Sequence, residues 1–337
     1  MALTLEDIAK LSKVSRSTVS RVINGDNKVS EETRQRVLDV IQLNNYQPNI
    51  AARRLAAGKT NVIGLVIPIK VGNIFNDPYF SLLIQGISAE CNLQDYSLML
   101  WLVEPEFEQR TIRQIINNGM IDGVVISSSV MDDPIINTLQ KSSMPFVLVG
   151  KHPFLALNCV DIDNRQAAYQ ITTHLLTCIK TRTRPAIITG PKNNLAALER
   201  LKGFMQAANE NGFSAENVLV CEGDFNEKSG YGAMQQILPA KPDSIFIAND
   251  LMAAGAYRAI HEAGLIIPDD IAIVGFDDIS LATQLDPPLT TIRQPIQNMG
   301  SQAVQSLISV IHQTESLPIQ IILPSNPIIR KSCGCVK

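Results

Sequence analysis

No apolar run in this 337-residue chain approaches the roughly 18 residues that a membrane-spanning helix needs. Val62 to Ile69 is the longest clear one, and Pro68 interrupts it. The start, with Glu6 and Asp7 close behind Met1, has no secretory pattern, so a cytoplasmic protein is expected. The six cysteines, Cys91, Cys159, Cys178, Cys221, Cys333 and Cys335, are scattered and mostly in apolar surroundings. That suits reduced thiols and argues against a disulfide framework. Cys333-Gly334-Cys335 is the exception, but a lone C-x-C with no second pair falls short of a metal signature. His152, His174, His261 and His312 show no metal-ligand spacing, so neither metal nor cofactor is expected. G-x-S-x-G and G-x-G-x-x-G are both missing, which speaks against an enzyme. Gly58-Lys59-Thr60 has the tail of a phosphate loop, but its first glycine would have to stand where Arg53 is.

What is present is a charge asymmetry. The net charge is −3, but residues 1–60 hold ten Lys and Arg against six acids, a surplus of +4, and the remainder holds 19 against 26, or −7. A basic head on an acidic body lets one end alone meet nucleic acid. With 45% hydrophobic residues the chain can bury sizeable cores in two or three domains.

The head is organised around Ser15 to Asn24. Ser15 can cap the first free amides, Val14 can pack across the cap on Val19, and Gly25 supplies a left-handed stop. Val19, Val22 and Ile23 make one apolar stripe, leaving Arg16, Ser17, Ser20 and Arg21 on the other face. Upstream, Thr4-Leu5-Glu6-Asp7 resembles a capping box with Asp in place of Glu, and opens a helix running to about Leu11. Ser12-Lys13-Val14 is a tight link, and Ser30 opens a third helix to about Leu43 with Val37, Val40 and Ile41 inward. This is helix-turn-helix spacing.

The set Leu5-Glu6-Asp7-Ile8-Ala9, Val14-Ser15, Thr18-Val19-Ser20-Arg21-Val22, Val29-Ser30, Thr33-Arg34 and Tyr46-Gln47-Pro48-Asn49 resembles the head of the lactose/galactose repressor (LacI/GalR) family, and the resemblance extends over the whole chain. It implies an all-α, lambda-repressor-like DNA-binding domain at 1–48, a hinge helix and linker at 49–60, and an α/β body at 61–337. The implied body is a periplasmic-binding-protein-like type I fold with two lobes, about 61–161 with 293–320 and about 162–291 with 322–332. Its chain would cross between lobes near Val160 to Asp163, Thr290 to Gln294 and Pro318 to Leu323. In the hinge, Asn49 can cap and Gly58 can stop a helix of about two turns, too short to be stable alone. Leu55 aligns with the side chain that the family wedges into the minor groove.

In the body, Val62 to Ile67, Ser97 to Leu102, Gly123 to Ser127 and Phe146 to Val149 read as strands, with helices near 80–93, 107–118 and 134–141. The pattern restarts at Pro185 to Thr189, Val218 to Cys221, Ser244 to Ala248 and Ile271 to Val274. Open parallel sheets bind ligands at the carboxyl ends of their strands. Matching of motifs carries over Arg200, Phe225, Asn249 and Asp277 as effector contacts, with Ser127 and Phe75 beside them. Asp250 and Asp278 are read as capping and packing residues. Gly150-Lys151 stands where relatives often have Asp and Arg, which leaves the identity of the sugar open.

The expected function is a sequence-specific transcriptional repressor, a homodimer on double-stranded operator DNA, controlled by a small sugar or sugar derivative and without a membrane partner. Arg16, Ser17 and Arg21 would meet base edges together with Leu55, and Ser15, Thr18, Ser20, Asn24, Lys28 and Thr33 would hold phosphates. Only Ser325 to Lys337 follow Pro324, too short for the heptad tail that makes some relatives tetramers. The rival readings are a purine- or nucleoside-responsive regulator of the same family, a sugar receptor and an enzyme. Whether the effector induces or corepresses is left open.

Overall fold

The computed structural model describes residues 3–23, 25–26, 28–46, 59–68, 71–103, 107–117, 119–128, 130–131, 133–152, 156–178 and 182–335. The chain forms two compact units, 1–60 and 61–337. The expected hinge helix, Leu55 within it, and Asn24 lie outside the described residues.

In the head, α1 (Leu5–Ser12) begins with the capping box that its sequence suggests. Asp7 N donates to Thr4 Oγ1 (3.3 Å) and Thr4 N to Asp7 Oδ2 (2.9 Å). Lys13, left-handed at φ 54°, ends the helix and turns the chain. Ser15 Oγ accepts from Thr18 N (3.1 Å) at the start of α2 (Arg16–Ile23). Gly25, at φ +72°, supplies the left-handed turn after it. Ser30 precedes α3 (Glu31–Leu43) without capping it, its hydroxyl donating instead to Thr33 Oγ1 (2.9 Å). Ile8, Ala9, Val19, Val22, Val37 and Tyr46 close the core.

The body holds two six-stranded sheets. The first contains β1 (Val62–Ile67), β2 (Ser97–Leu102), β3 (Gly123–Ser127), β4 (Phe146–Val149), β5 (Cys159–Ile162) and β11 (Gln320–Leu323). They lie in the order β11-β5-β4-β3-β1-β2, all parallel. The second contains β6 (Pro185–Thr189), β7 (Leu219–Glu222), β8 (Ser244–Ile247), β9 (Ala272–Asp277), β10 (Thr290–Arg293) and β12 (Asn326–Ile328). Its order is β12-β10-β9-β8-β6-β7, with only β12 antiparallel. Continuous burial of strands such as β4, β6 and β8 is what a parallel sheet covered on both faces demands.

Helices α4 (Val71–Asn76), α5 (Pro78–Leu93), α6 (Glu108–Asn117) and α7 (Pro134–Gln140) lie between strands of the first sheet. Helices α8 (Asn164–Cys178), α9 (Leu195–Glu210), α10 (Glu227–Ile237), α11 (Asp250–Glu262) and the short α12 (Leu281–Gln284) follow in the region of the second. Helix α13 (Ile296–His312) returns to pack on α5. Gly86 permits that approach, since a Cβ there would collide with Gln297 O.

The chain passes between the sheets after β5, after β10 and after β11. The third passage therefore falls at 324–325, not at Pro318 to Leu323 as the sequence suggested. The reason is that Gln320–Leu323 pairs in register with Cys159–Ile162, which keeps residues 322–323 in the first lobe.

Candidate functional site

In the head, α2 buries Val19 and Val22 and turns Arg16, Ser17 and Arg21 to solvent. Ser15 is exposed too, and Thr18 and Ser20 are half-buried. Lys28 is exposed and Thr33 half-buried beyond the turn. Both arginines have acidic neighbours, Arg16 Nη1 lying 3.0 Å from Glu6 Oε1 and Arg21 Nε 3.9 Å from Asp26 Oδ2. Pairs so exposed contribute little to stability, so either guanidinium can be drawn off by a stronger anion at small cost.

In the body, the carboxyl ends of the strands converge on a cleft of about 830 Å³ between the lobes. It is lined by Ser127 at the end of β3, Gly150 after β4, Asp161 in β5, Phe225 after β7, Asn249 after β8, Asp277 at the end of β9 and Gln294 after β10. Its volume lies within the range of about 300–1,000 Å³ typical of small-molecule sites. Across its mouth the lobes touch through Met131 N donating to Asn193 O (2.8 Å).

The centre of the cleft is Arg200, projected from α9 and almost fully buried. Its Nε donates to Asn164 Oδ1 (2.9 Å), Nη1 donates to Ala248 O and lies 3.6 Å from Asp277 Oδ1, and the guanidinium stacks 3.7 Å over the Phe276 ring. Planar stacking plus fixed acceptors holds the fork rigid. Asp277, at φ 114°, accepts from Gln294 Nε2 (2.6 Å). Asp161 accepts from Ile162 N and Asn164 Nδ2 through one oxygen, Oδ1.

Of the residues carried over by resemblance, Ser127, Arg200, Phe225, Asn249 and Asp277 are brought together here. Phe75 is not. It lies on α4, 76% exposed and outside the cleft lining, because α4 is a separate six-residue helix that ends before the chain turns at Asp77. Tyr79 and Phe80, at the start of α5, supply the rings on that side, 5.4 Å apart and edge to face. Asn249 uses both ends of its amide on the protein: Oδ1 caps α11 at Met252 N (3.0 Å) and Nδ2 donates to Phe225 O (3.0 Å). It thereby fixes the strained Phe225, whose φ is +54°. Asp250 and Asp278 are structural, as their positions suggested. Asp250 accepts from Thr291 Oγ1 (2.6 Å) and Ile279 N (3.1 Å), while Asp278 pairs with Arg293 and Arg330 at 2.6 Å each.

Sequence reasoning missed Asp77, Tyr79, Asp161 and Gln294 as cleft residues. Asp77-Pro78 is a recognisable helix start, and Gln294 follows a strand, but neither β5 nor β10 was read as a strand.

The Phe225 ring sits directly over Gly190, where a Cβ would collide with it. Gly190→Ala is therefore expected to push the half-buried ring out of place and weaken ligand binding, by up to the about 1–3 kcal/mol that a methyl inserted where there is no room costs a packed core. Calorimetric titration of the variant checks this.

Burial raises Asp77 and Asp161 to about 6 and, against the pull of Arg200, Asp277 to about 7. All three lie above the ordinary carboxylate value of 3.8, so the folded state keeps protons that the unfolded chain has released. Their contribution to stability is therefore present at low pH and lost as pH rises from about 4 through about 7. Asp7, Glu210 and Glu222 shift the opposite way, but at solvent-exposed positions where screening makes the effect small. The melting temperature of the ligand-free protein should fall between about pH 5 and pH 7 and level off above. Affinity for a ligand that donates hydroxyls to these carboxylates should rise over the same interval.

Two family descriptions match. "Bacterial regulatory proteins, lacI family" covers residues 4–49, and "Periplasmic binding proteins and sugar binding domain of LacI family" covers residues 60–330. The ribose operon repressor of Escherichia coli (strain K12) is 36% identical over 315 residues, 92% of this chain and 93% of that protein. A solved transcriptional regulator CelR–cellobiose complex is 31% identical with a TM-score of 0.77, covering 98% of this chain and 99% of that one. The lac repressor dimer bound to operator and the anti-inducer ONPF superposes with a TM-score of 0.87 at 26% identity, covering 99% of both chains. These matches run through head and body in the same order, and the chain belongs to the lacI family of bacterial transcriptional regulators.

Proposed function

We propose that the protein is a homodimeric repressor that grips a near-palindromic operator and is controlled by a neutral sugar held in the interlobe cleft. In this reading Arg16, Ser17 and Arg21 meet base edges in the major groove, with Leu55 of the hinge in the minor groove. Ser15, Thr18, Ser20, Asn24, Lys28 and Thr33 hold the flanking phosphates. Arg200, Asp277, Asn249, Phe225 and Ser127 bind the effector, joined by Asp161, Gln294 and Tyr79. The site of action is the cytoplasm, and the ligand is bound without turnover.

The observation that carries the choice of effector is the charge of the cleft floor, where Asp77, Asp161 and Asp277 gather about the buried guanidinium of Arg200, the other cations of the lining, Lys228 and Arg258, being exposed. Vicinal hydroxyls can donate to carboxylates and accept from the arginine fork, while aromatic rings cover the C–H face of the sugar. A phosphorylated sugar would add negative charge to an acidic, buried site and is disfavoured. The ligand acts on DNA by preferring one arrangement of the lobes, a coupling of about 1–3 kcal/mol. Thermal shift with neutral sugars, sugar phosphates and nucleosides, followed by operator titration with each hit, tests this. Stabilisation by sugar phosphates or nucleosides alone would overturn the choice of ligand, and a hit that leaves operator affinity unchanged would overturn the coupling. The sign of the change distinguishes induction from corepression.

A further inference from the structure

Helix α8 carries His174 and Cys178 one turn apart, on the same face, and the C-terminal segment brings Cys335 against them. The donor atoms of His174, Cys178 and Cys335 all lie within 4.8 Å of one another. Cys335 Sγ is 3.1 Å from His174 Nε2 and 3.1 Å from Cys333 Sγ, and Cys333 Sγ is 3.5 Å from His174 Nε2. Cys178 Sγ lies 3.5 Å from Cys333 O. The C-x-C pair that lacked a second pair in the sequence has one in the fold, supplied from more than 150 residues away.

We propose that His174, Cys178, Cys333 and Cys335 form a Cys₃His zinc site that fastens the C-terminal segment to α8. Three soft thiolates and one imidazole are a donor set of tetrahedral structural zinc. With Zn–S near 2.3 Å and Zn–N near 2.0–2.1 Å, the donors of such a site stand about 3.5–3.8 Å apart. The separations of 3.1 to 3.5 Å among His174, Cys333 and Cys335 lie at or just below that value, and Cys178 stands within 4.8 Å of His174 and Cys335.

The segment has contacts of its own that hold it in position. Ser332 Oγ donates to Ile273 O (2.6 Å) and accepts from Thr290 N (2.8 Å), Arg330 pairs with Asp278, and Gly334 at φ +82° reverses the chain between the two sulfurs. Binding releases the three thiol protons and leaves the site with one net negative charge. Arg182, within electrostatic reach of all three sulfurs, offsets that charge, and its buried Nε has no acceptor among the described residues. A Cys333–Cys335 disulfide is the competing chemistry. It would use two donors and leave the convergence of His174 and Cys178 unexplained.

The test uses the full chain purified under reducing conditions, with metal content measured after gel filtration and cobalt(II) substituted as a spectroscopic probe. The expected result is one zinc per chain and the visible absorption of tetrahedral, thiolate-bound cobalt. Cys335→Ser, at an exposed position, should lower zinc affinity by at least about tenfold, a floor set by what loss of an outer-shell partner alone can cost. The variant's unchanged far-ultraviolet circular dichroism would show that it folds. Cys221→Ser, outside the cluster, should bind zinc as the parent does. Equal zinc content in the parent and Cys335→Ser would overturn the proposal. So would an absence of both zinc and cobalt binding in the reduced parent, or a Cys333–Cys335 disulfide, read as a mass loss of two hydrogens, that persists when zinc is supplied.

Discussion

Raising the salt concentration from about 50 to about 200 mM should weaken operator binding by about three to five decades, provided the dimer meets about 6–10 phosphates. The head carries the basic surplus of the chain, and its α2 turns Arg16, Ser17 and Arg21 outward. Counterion release on phosphate contact therefore dominates affinity, while the arginine forks add preference. Replacing the two kinds of residue separates the terms. Lys28→Ala, at an exposed phosphate position, should reduce the slope of log affinity against log salt by about 1 per contact removed and weaken all duplexes alike. Arg21→Ala should cost about 1–3 kcal/mol at the operator and relax preference at one base pair. Asp26, the present neighbour of Arg21, is only 3.9 Å from its Nε and exposed enough that breaking the pair offsets little of that cost. Fluorescence anisotropy with operator and random duplex over a salt series checks both. An unchanged preference in Arg21→Ala would remove the base-reading assignment.

What could be read from the sequence was set by how local the signals are. The Thr4–Asp7 capping box and the Ser15 cap act across three residues, so their bonds follow from the residues alone. Strands β1, β2, β3 and β4 were legible to the residue as apolar, β-branched runs bounded by polar or turn residues. The strands β5, β10, β11 and β12 were not, because each is three or four residues long, includes at least one polar residue in that short span, and is held by pairing with strands far away in the chain. That loss carried into the site. Asp161 lies within β5 and Gln294 follows β10, so both were seen only as crossing segments. Phe75 failed for a related reason. The short α4 gives no periodic signal over six residues, and without it Phe75 could not be told from Tyr79 and Phe80. The thiols are the extreme case: nothing near Cys333 in the sequence names His174 or Cys178 as its neighbours.

Asp277→Asn should reduce effector affinity by about 10- to 150-fold while leaving the body as stable as before, or more so, at about pH 8. The affinity term follows from loss of a charged acceptor, since hydrogen bonds to ionised groups contribute about 1.5–3 kcal/mol. For stability, two effects oppose each other. Arg200 lies 3.6 Å away and favours the carboxylate, whereas complete burial disfavours it. The balance is visible in the acid itself, which rises to about 7 instead of falling below its ordinary value of 3.8. Burial therefore outweighs the attraction at Asp277 itself, and an amide of the same shape relieves that cost, while Arg200 keeps Asp161 as a counter-charge and Asn164 and Ala248 as acceptors. Asparagine also tolerates the φ of 114° better than most residues and can still accept from Gln294 Nε2. The same substitution should flatten the pH dependence of effector affinity near pH 7, leaving only the part due to Asp77 and Asp161 at about 6. Calorimetric titration at about pH 6 and pH 8, beside melting curves at both, measures each consequence separately. Wild-type affinity in Asp277→Asn at the higher pH would remove this carboxylate from the ligand's contacts. A large drop in melting temperature there would instead mean that the Arg200–Asp277 pair, not the ligand, is what the buried charge serves.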